Sequence, residues 1–294
     1  MYSTKFSPLI IGTMRLGEWG ANMRAEELEH FIDQCLEMGF IDFDHADIYG
    51  HYTEEGNFGR VLKRRPDLKK KLRITTKCGI KLVTERRPDH TLKSYDSTPA
   101  HILTSVDNSL KELGIEQIEV LLLHRPDYLM NVEEIAETFD RLRSSGKVQA
   151  FGVSNFTPAQ VELLHSHTPL VTHQVEISLM HRNALENGIL EQCQRLRIVP
   201  TAWSPFGGGA IFSDSQEAQH IRIKAVATKL GEKYNVGVDQ VLLAWILKHP
   251  AGILPVVGSS KIERIKRAKA ALEVRFSHEE WYELLEAAVG EEVP

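Results

Sequence analysis

The sequence predicts an α/β chain closed into a (β/α)8 TIM barrel with an extra C-terminal helix, and three observations predict it. Short apolar runs alternate with helical patterns from one end of the 294 residues to the other. That length suits one such barrel, for which about 250 residues is typical. Each apolar run also stops in a polar, aromatic or glycine-rich residue, on the face where barrel enzymes carry their chemistry. The rival architecture, a doubly wound open sheet, usually announces its dinucleotide site with a GxGxxG turn after the first strand. This chain has none.

The first strand is expected over Leu9 to Thr13, ended by Met14-Arg15. A helix over Ala25 to Met38 puts Leu28, Phe31, Ile32 and Cys35 on one face, and Gly39 stops it. The second strand, Phe40 to Asp44, runs into Asp44-His45-Ala46-Asp47-Ile48-Tyr49-Gly50. The third, Arg73 to Lys77, ends in an ammonium. Thr98 and Pro99 then supply an N-cap and a first-turn proline to a helix that Gly114 ends. Strand four, Glu119 to Leu123, ends at His124, and strand five, Gln149 to Val153, ends at Ser154-Asn155. Thr157-Pro158 repeats the helix-start signature before Gln160 to His165. The last strands are Thr172 to Glu176, Val199 to Trp203 and Ile253 to Val257, the final one stopped by Gly258-Ser259-Ser260. Ser277 to Gly290 reads as an amphipathic outer helix, through Trp281, Leu284, Leu285 and Ala288. No second composition regime appears, so residues 1–294 are expected to form a single domain.

Composition narrows the function classes. With 42% hydrophobic and 26% charged residues the chain is of ordinary globular make-up, without the signature of disorder. A formal net charge of -5 gives nucleic-acid binding no support. Cys35, Cys78 and Cys193 form no CxxC pair, which suits free thiols in a reducing compartment. The N-terminal run Met1 to Phe6 lacks a signal-peptide pattern, and no apolar stretch approaches a membrane span of roughly 20 residues. A cytoplasmic protein, monomeric or weakly oligomeric, is the expectation.

Asp44, Tyr49, Lys77 and His124 at successive strand ends point to carbonyl reduction. Tyr49 would donate a proton to the developing alkoxide while a hydride arrives from a dinucleotide. Lys77 would stabilise the tyrosinate and lower its pKa, Asp44 would hold the lysine, and His124 would orient the carbonyl oxygen. Two other barrel chemistries use the same residue types. A Schiff-base aldolase would need Lys77 as a free amine. A metal hydrolase would need His45, His124 and Asp44 as ligands, without an HxH pair, so no metal is expected.

These runs resemble the aldo-keto reductase family over essentially the whole chain. The resemblance rests on Asp44 to Gly50, Thr75-Thr76-Lys77, Leu121 to Asp127, Gly152 to Phe156, Gln174-Val175-Glu176, Ala202 to Phe206 and Ile11-Gly12-Thr13-Met14. The His-Ala-Asp-Ile-Tyr-Gly run is similar to that of bacterial, incompletely characterised oxidoreductases of the family. The resemblance implies NADP(H), bound without a Rossmann domain, and a small-molecule carbonyl substrate. It implies a catalytic tetrad of Asp44, Tyr49, Lys77 and His124. It assigns Ser154, Asn155 and Gln174 to the nicotinamide carboxamide and Trp203 to stacking on the ring. Ser204, Phe206, Gly207, Gly208 and Gly209 would approach the pyrophosphate. Gly258, Ser259 and Ser260 open the last barrel helix, with Arg264 for a 2′-phosphate. Two departures stand out. Arg267 and Ala268 occupy positions where many relatives carry Glu-Asn, and His45 replaces a small hydroxyl residue.

Substrate contacts are expected from Trp19, Tyr49 and His124, with Tyr128, Leu129 and Met130 near the mouth. The long basic stretch Ile80 to Ser97 reads as a solvated lid.

Overall fold

The computed structural model describes residues 6–293, so the reading of Met1 to Lys5 as lacking a signal lies outside the described residues. The chain groups into two compact units. One runs through Gln174 and takes in Gly258 to Ser260; the other comprises Val175 to Val257 and the chain from Lys261 onward.

The first unit contains β1 (Ile10–Gly12), α1 (Ala25–Glu37), β2 (Asp42–Asp44), the one-turn α2 (Tyr49–Tyr52) and α3 (Glu54–Arg64). It continues with β3 (Arg73–Cys78), a hairpin of β4 (Ile80–Lys81) and β5 (Ser94–Tyr95), and α4 (Pro99–Leu113). Then come β6 (Ile118–Leu123), α5 (Val132–Ser144), β7 (Val148–Ser154), α6 (Pro158–His165) and β8 (Thr172–Glu176), whose Gln174 ends the unit. The caps are those the sequence supplies. Thr98 Oγ1 accepts from the His101 N–H at 3.4 Å, and Gly114 closes α4 at φ +66°. Thr157 and Gln160 form a reciprocal capping box at 3.3 and 2.9 Å.

The second unit contains α7 (Ile189–Leu196), β9 (Val199–Trp203), α8 (Ala218–Tyr234), α9 (Val238–Leu247), β10 (Leu254–Val257), α10 (Ile262–Ala270) and α11 (His278–Val289). The outer helix α11 starts on a Ser277–Glu280 capping box and stops at Gly290, φ +100°. It docks on α9 through Trp281, stacked 5.0 Å from Trp245 with planes 8° apart. Each indole N–H donates to the other's backbone carbonyl, at 3.2 and 3.0 Å, so both indole donors are satisfied.

The strands close as a parallel barrel in the order β1-β10-β9-β8-β7-β6-β3-β2. All eight expected strands occur, two with the expected bounds and the others shifted by a residue or two. Within the first unit the register runs Gly12↔Asp44, Asp44↔Thr75, Lys77↔Leu122, Leu122↔Gly152 and Ser154↔Gln174. Gly152 is required there: a Cβ would lie 2.5 Å from the Thr172 carbonyl oxygen. Behind the strands Phe139 of α5 stacks on Phe151 of β7 at 3.9 Å, and Phe58 of α3 tilts against Phe43 at 5.5 Å.

The stretch expected as a solvated lid is a hairpin pinned at its base. Ile80 pairs with Tyr95 and Lys81 with Ser94. Two residues per strand are too few to print an alternation in the sequence.

Candidate active site

Parallel pairing of β2 with β3 puts Asp44 opposite Thr75, and the alternation of a strand carries Lys77 to the same face two residues on. The pairing persists past β2: the His45 N–H donates to the Thr75 carbonyl at 2.8 Å and the Asp47 N–H to that of Lys77 at 3.0 Å. The chain then turns through α2 and lays Tyr49 over the lysine. Lys77 is fully buried. Its ammonium donates to Asp44 Oδ2 at 2.7 Å, to the His45 carbonyl at 2.6 Å and to the Tyr49 hydroxyl at 3.2 Å. A buried ammonium persists only when so compensated. Burial alone would lower its pKa, but Asp44 and Tyr49 outweigh burial and hold it above the ordinary lysine value. Lys77 is thus a fixed cation and a poor imine-forming nucleophile, which argues against the aldolase alternative.

Tyr49 departs from expectation. Burial, with the Asp44 and Asp47 carboxylates, raises its pKa against the pull of Lys77, so the phenol sits above its ordinary value rather than below. A protonated phenol is the form a proton donor needs at neutral pH. The His124 ring stands edge-on to Tyr49, centroids 6.1 Å apart. Burial, then Lys77 and Arg125, push the imidazole well below its ordinary pKa, so it is neutral. Its Nδ1 is buried and has no partner among the described residues.

Gln174 enters the same network. Its amide donates to Asp44 Oδ1 at 2.9 Å, occupying the carboxylate oxygen that Lys77 leaves free. At the end of β7, Asn155 takes the left-handed conformation, φ +60°, which asparagine tolerates. Its side chain donates to Ser154 Oγ at 2.7 Å and its N–H to the Gln174 carbonyl at 2.9 Å. The first unit therefore brings Asp44, Tyr49, Lys77, His124, Ser154, Asn155 and Gln174 together. Trp19 lies 6.1 Å from the Tyr49 ring, tilted by 58°.

His45 packs. Its ring meets Phe58 edge-on at 4.5 Å, and its Nδ1 lies 3.1 Å from Thr13 Oγ1. The Thr13 hydroxyl donates to the Asp44 carbonyl at 3.0 Å, so His45 Nδ1 must be the donor to Thr13. Burial, then Lys77, lowers its pKa to about 3. Turned onto Phe58, His45 does not join His124 and Asp44 as a ligand set. Sequence reasoning missed two buried glutamates on α3. Glu55 accepts from the Thr76 and Ser109 hydroxyls at 2.6 and 2.9 Å, and burial raises it to about 7; burial also raises Glu54 to about 7. Their helix has polar residues at most positions, and only the acidic pair at its start hinted at them.

In the second unit, Trp203 ends β9 and Ser204 turns left-handed at φ +49°. Phe206 precedes a 3-10 segment, Gly207–Phe212, in which Gly207, Gly208 and Gly209 all have positive φ. Glycine is needed for that run. Helix α10, with Arg264 in its first turn, has no side-chain cap from Lys261, and the Arg264 N–H donates to the Lys261 carbonyl at 3.0 Å. Gly258, Ser259 and Ser260 belong to the first unit. Arg267 pairs with Asp239 at 2.9 Å and Ala268 is buried, which accounts for both as helix packing.

No helix of the described residues is long and apolar enough to cross a membrane. The chain is 42% identical over 292 residues to the uncharacterized oxidoreductase YcsN of Bacillus subtilis, covering 99% of this chain and 97% of that protein. It is 40% identical over 291 residues to the 6-dehydroglucose reductase of Agrobacterium fabrum, covering 98% and 96%. The structure of a glycerol dehydrogenase from Gluconobacter oxydans superposes with a TM-score of 0.85 over 100% of this chain and 95% of that one, at 24% identity, a likeness of fold. The aldo/keto reductase family profile matches residues 8–288, and on that extent of agreement this oxidoreductase belongs to the aldo/keto reductase family.

Proposed function

We propose that the protein reduces aldehyde or ketone carbonyls to alcohols with NADPH, Tyr49 giving the proton. The observation that carries this reading is the Lys77 ammonium held between Asp44 Oδ2 and the Tyr49 hydroxyl, at 2.7 and 3.2 Å. As the phenol gives up its proton, the adjacent cation stabilises the developing tyrosinate in a site largely screened from water. Asp44 keeps that cation in place, and Gln174 keeps Asp44 in place. Neutral His124 would donate a hydrogen bond to the carbonyl oxygen and align it with Tyr49.

The donor set fits a nicotinamide carboxamide. Ser154 and Gln174 are paired across β7 and β8, and with Asn155 they offer hydroxyl and amide groups of mixed donor and acceptor character. The bound dinucleotide would supply the hydride. Trp203, Ser204, Phe206 to Gly209, Gly258 to Ser260 and Arg264 are the residues proposed to hold the rest of it. The positive N-terminal end of α10, with Arg264 in its first turn, suits an anion, which favours NADPH. A 40%-identical relative named 6-dehydroglucose reductase makes that compound a reasonable first substrate.

The test is NADPH oxidation followed by absorbance with a panel of activated aldehydes, diketones and 6-dehydroglucose, for wild type and Tyr49→Phe. Loss of the proton donor should lower turnover by about 10²–10⁴-fold with NADPH affinity nearly intact. Retained turnover in Tyr49→Phe would overturn the assignment. NADPH binding without turnover in the wild type would point instead to a cofactor-binding sensor or accessory subunit.

A further inference from the structure

Directly after Tyr49 the backbone stays left-handed for three residues, Gly50 at φ +57°, His51 at +52° and Tyr52 at +69°. Left-handed geometry is free for glycine but strained for each residue bearing a Cβ. A cost accepted twice beside the proton donor calls for a compensating contact, and His51 makes several. Its Nδ1 lies 3.0 Å from Glu18 Oε1, and the Trp19 indole N–H lies 3.2 Å from Nδ1 and 3.4 Å from Nε2. One imidazole serves both neighbours only as the Nδ1–H tautomer, donating to Glu18 and accepting from Trp19 at Nε2. The other carboxylate oxygen of Glu18 takes Arg86, on the hairpin loop, at 3.1 Å. Glu18 therefore joins three segments that come together only in the fold: its own loop after β1, the turn after Tyr49, and the loop between β4 and β5.

This clasp fixes the indole that stands beside Tyr49. Trp19 meets His51 edge-on, rings perpendicular at 5.2 Å, while tilting toward Tyr49 at 6.1 Å. With its N–H turned onto His51, the indole offers carbon surface rather than a hydrogen-bond donor to whatever approaches the phenol. We propose that Glu18, His51 and Arg86 are positioning residues that hold Trp19 as a fixed wall for carbonyl substrates carrying a ring next to the reacting carbon. The shared chemistry is the flat face of a six-membered ring, aromatic or the C–H face of a sugar. The inference rests on the reductase reading, with Tyr49 as the proton donor.

The variants are chosen so that folding does not cloud the result. His51→Gly removes the side chain while easing the left-handed backbone, and His51→Asn keeps a polar side chain in a residue that tolerates φ near +52°. Glu18→Gln keeps an acceptor for His51 but removes the charge facing Arg86. With NADPH, benzaldehyde, 6-dehydroglucose (whose C6 aldehyde sits beside the pyranose ring) and propanal are compared. His51→Gly should raise KM for the two ring-bearing aldehydes about three- to tenfold, the scale of an aromatic contact, with kcat and propanal kinetics within about twofold. His51→Asn should restore part of the loss. Glu18→Gln should give a smaller rise and remove the salt dependence of KM that an exposed ion pair confers. Acrylamide quenching of tryptophan fluorescence should increase in His51→Gly, and that increase should vanish when Trp19→Phe is added. A rise for only one ring aldehyde names the source of the ring. Unchanged KM for both, or equal losses for ring aldehydes and propanal, overturns the proposal while leaving the reductase reading intact. That reading fails separately, if Tyr49→Phe still turns over.

Discussion

At the scale of single residues, Gln174 does something the sequence did not disclose. The strand-end pattern marked it only as a polar stop, and the family resemblance assigned it to a carboxamide. The fold adds a hydrogen bond from its side-chain amide to Asp44 Oδ1 at 2.9 Å, with Asp44 and Gln174 both buried. A buried carboxylate oxygen left without a donor costs about 1–3 kcal/mol. Gln174→Met should therefore destabilise the protein without cofactor by that amount, about equally at pH 5.5 and pH 8. Gln174→Glu should behave differently. Its new carboxyl lies against Asp44, so one of the two is driven to hold a proton, and the protonated acid can donate where the amide did. The folded pKa is then raised above the unfolded one, so the stability of this variant falls as pH rises from 5.5 to 8. Urea unfolding of the cofactor-free proteins at both values checks this. If neither variant loses stability, Gln174 does not brace Asp44 and acts on the cofactor alone. Tyr49 carries the complementary lesson: proximity to Lys77 was readable from strand order, but the depth of burial that reverses its pKa shift was not.

At the scale of elements, the barrel strands were legible because each is a continuous apolar run with an abrupt polar stop. Leu121-Leu122-Leu123 before His124 is the clearest case. Helices α4, α6 and α11 were legible through Thr98-Pro99, Thr157-Pro158 and Gly290. What stayed hidden depends on backbone states and distant partners. Nothing in Gly50-His51-Tyr52 announces three consecutive left-handed residues. The hairpin was hidden because its hold lies outside itself, in Tyr52. That hydroxyl accepts from the Leu82 N–H at 2.9 Å and donates to the Ile80 carbonyl at 3.2 Å, while Arg87 lies over its ring at 4.6 Å. Tyr52→Phe deletes both hydrogen bonds and keeps the ring. Each is worth about 1 kcal/mol, so local opening of the segment from Leu82 to Lys93 should become about five- to thirtyfold more frequent. Arg86 and Lys93 are trypsin sites within it, whereas the Arg87–Pro88 bond resists trypsin, so nicking at those two should accelerate in proportion while global stability shifts little. An unchanged nicking rate would mean the hairpin is held by its Glu18–Arg86 tie or by its own pairing.

At the scale of the whole molecule, buried titratable groups of opposite sign set how stability follows pH. His45 and His173 are held neutral by burial, with folded pKa values of about 3 and about 4 against 6.5 unfolded, and burial also lowers His124 well below its ordinary value. As pH falls below 6.5 the unfolded chain takes up protons that these rings refuse, so their contribution declines on acidification. Glu54 and Glu55 are raised by burial to about 7 against 4.5 unfolded, and Asp47 is raised well above its ordinary value. As pH rises above 4.5 the unfolded chain releases protons these carboxyls keep, so their contribution declines on alkalisation. Between about pH 4.5 and 6.5 the two sets oppose one another at about 1.4 kcal/mol per pH unit for each group, and their effects largely cancel. Stability should be nearly flat across that window and fall on the acid side of it. Removing one member of either set should tilt the plateau in a known direction. Glu55→Gln keeps the acceptor for Thr76 and Ser109 but no longer resists ionisation, so relative to wild type it should gain about 3 kcal/mol between pH 4.5 and pH 8. His173→Leu should gain relative to wild type in the opposite direction, as pH falls from 7 to 4.5. Urea unfolding midpoints across pH 4.5 to 8 for the three proteins provide the measurement. Parallel curves for wild type and Glu55→Gln would mean that Glu55 is ionised in the folded protein, its charge borne by the two hydroxyls and the nearby Lys77.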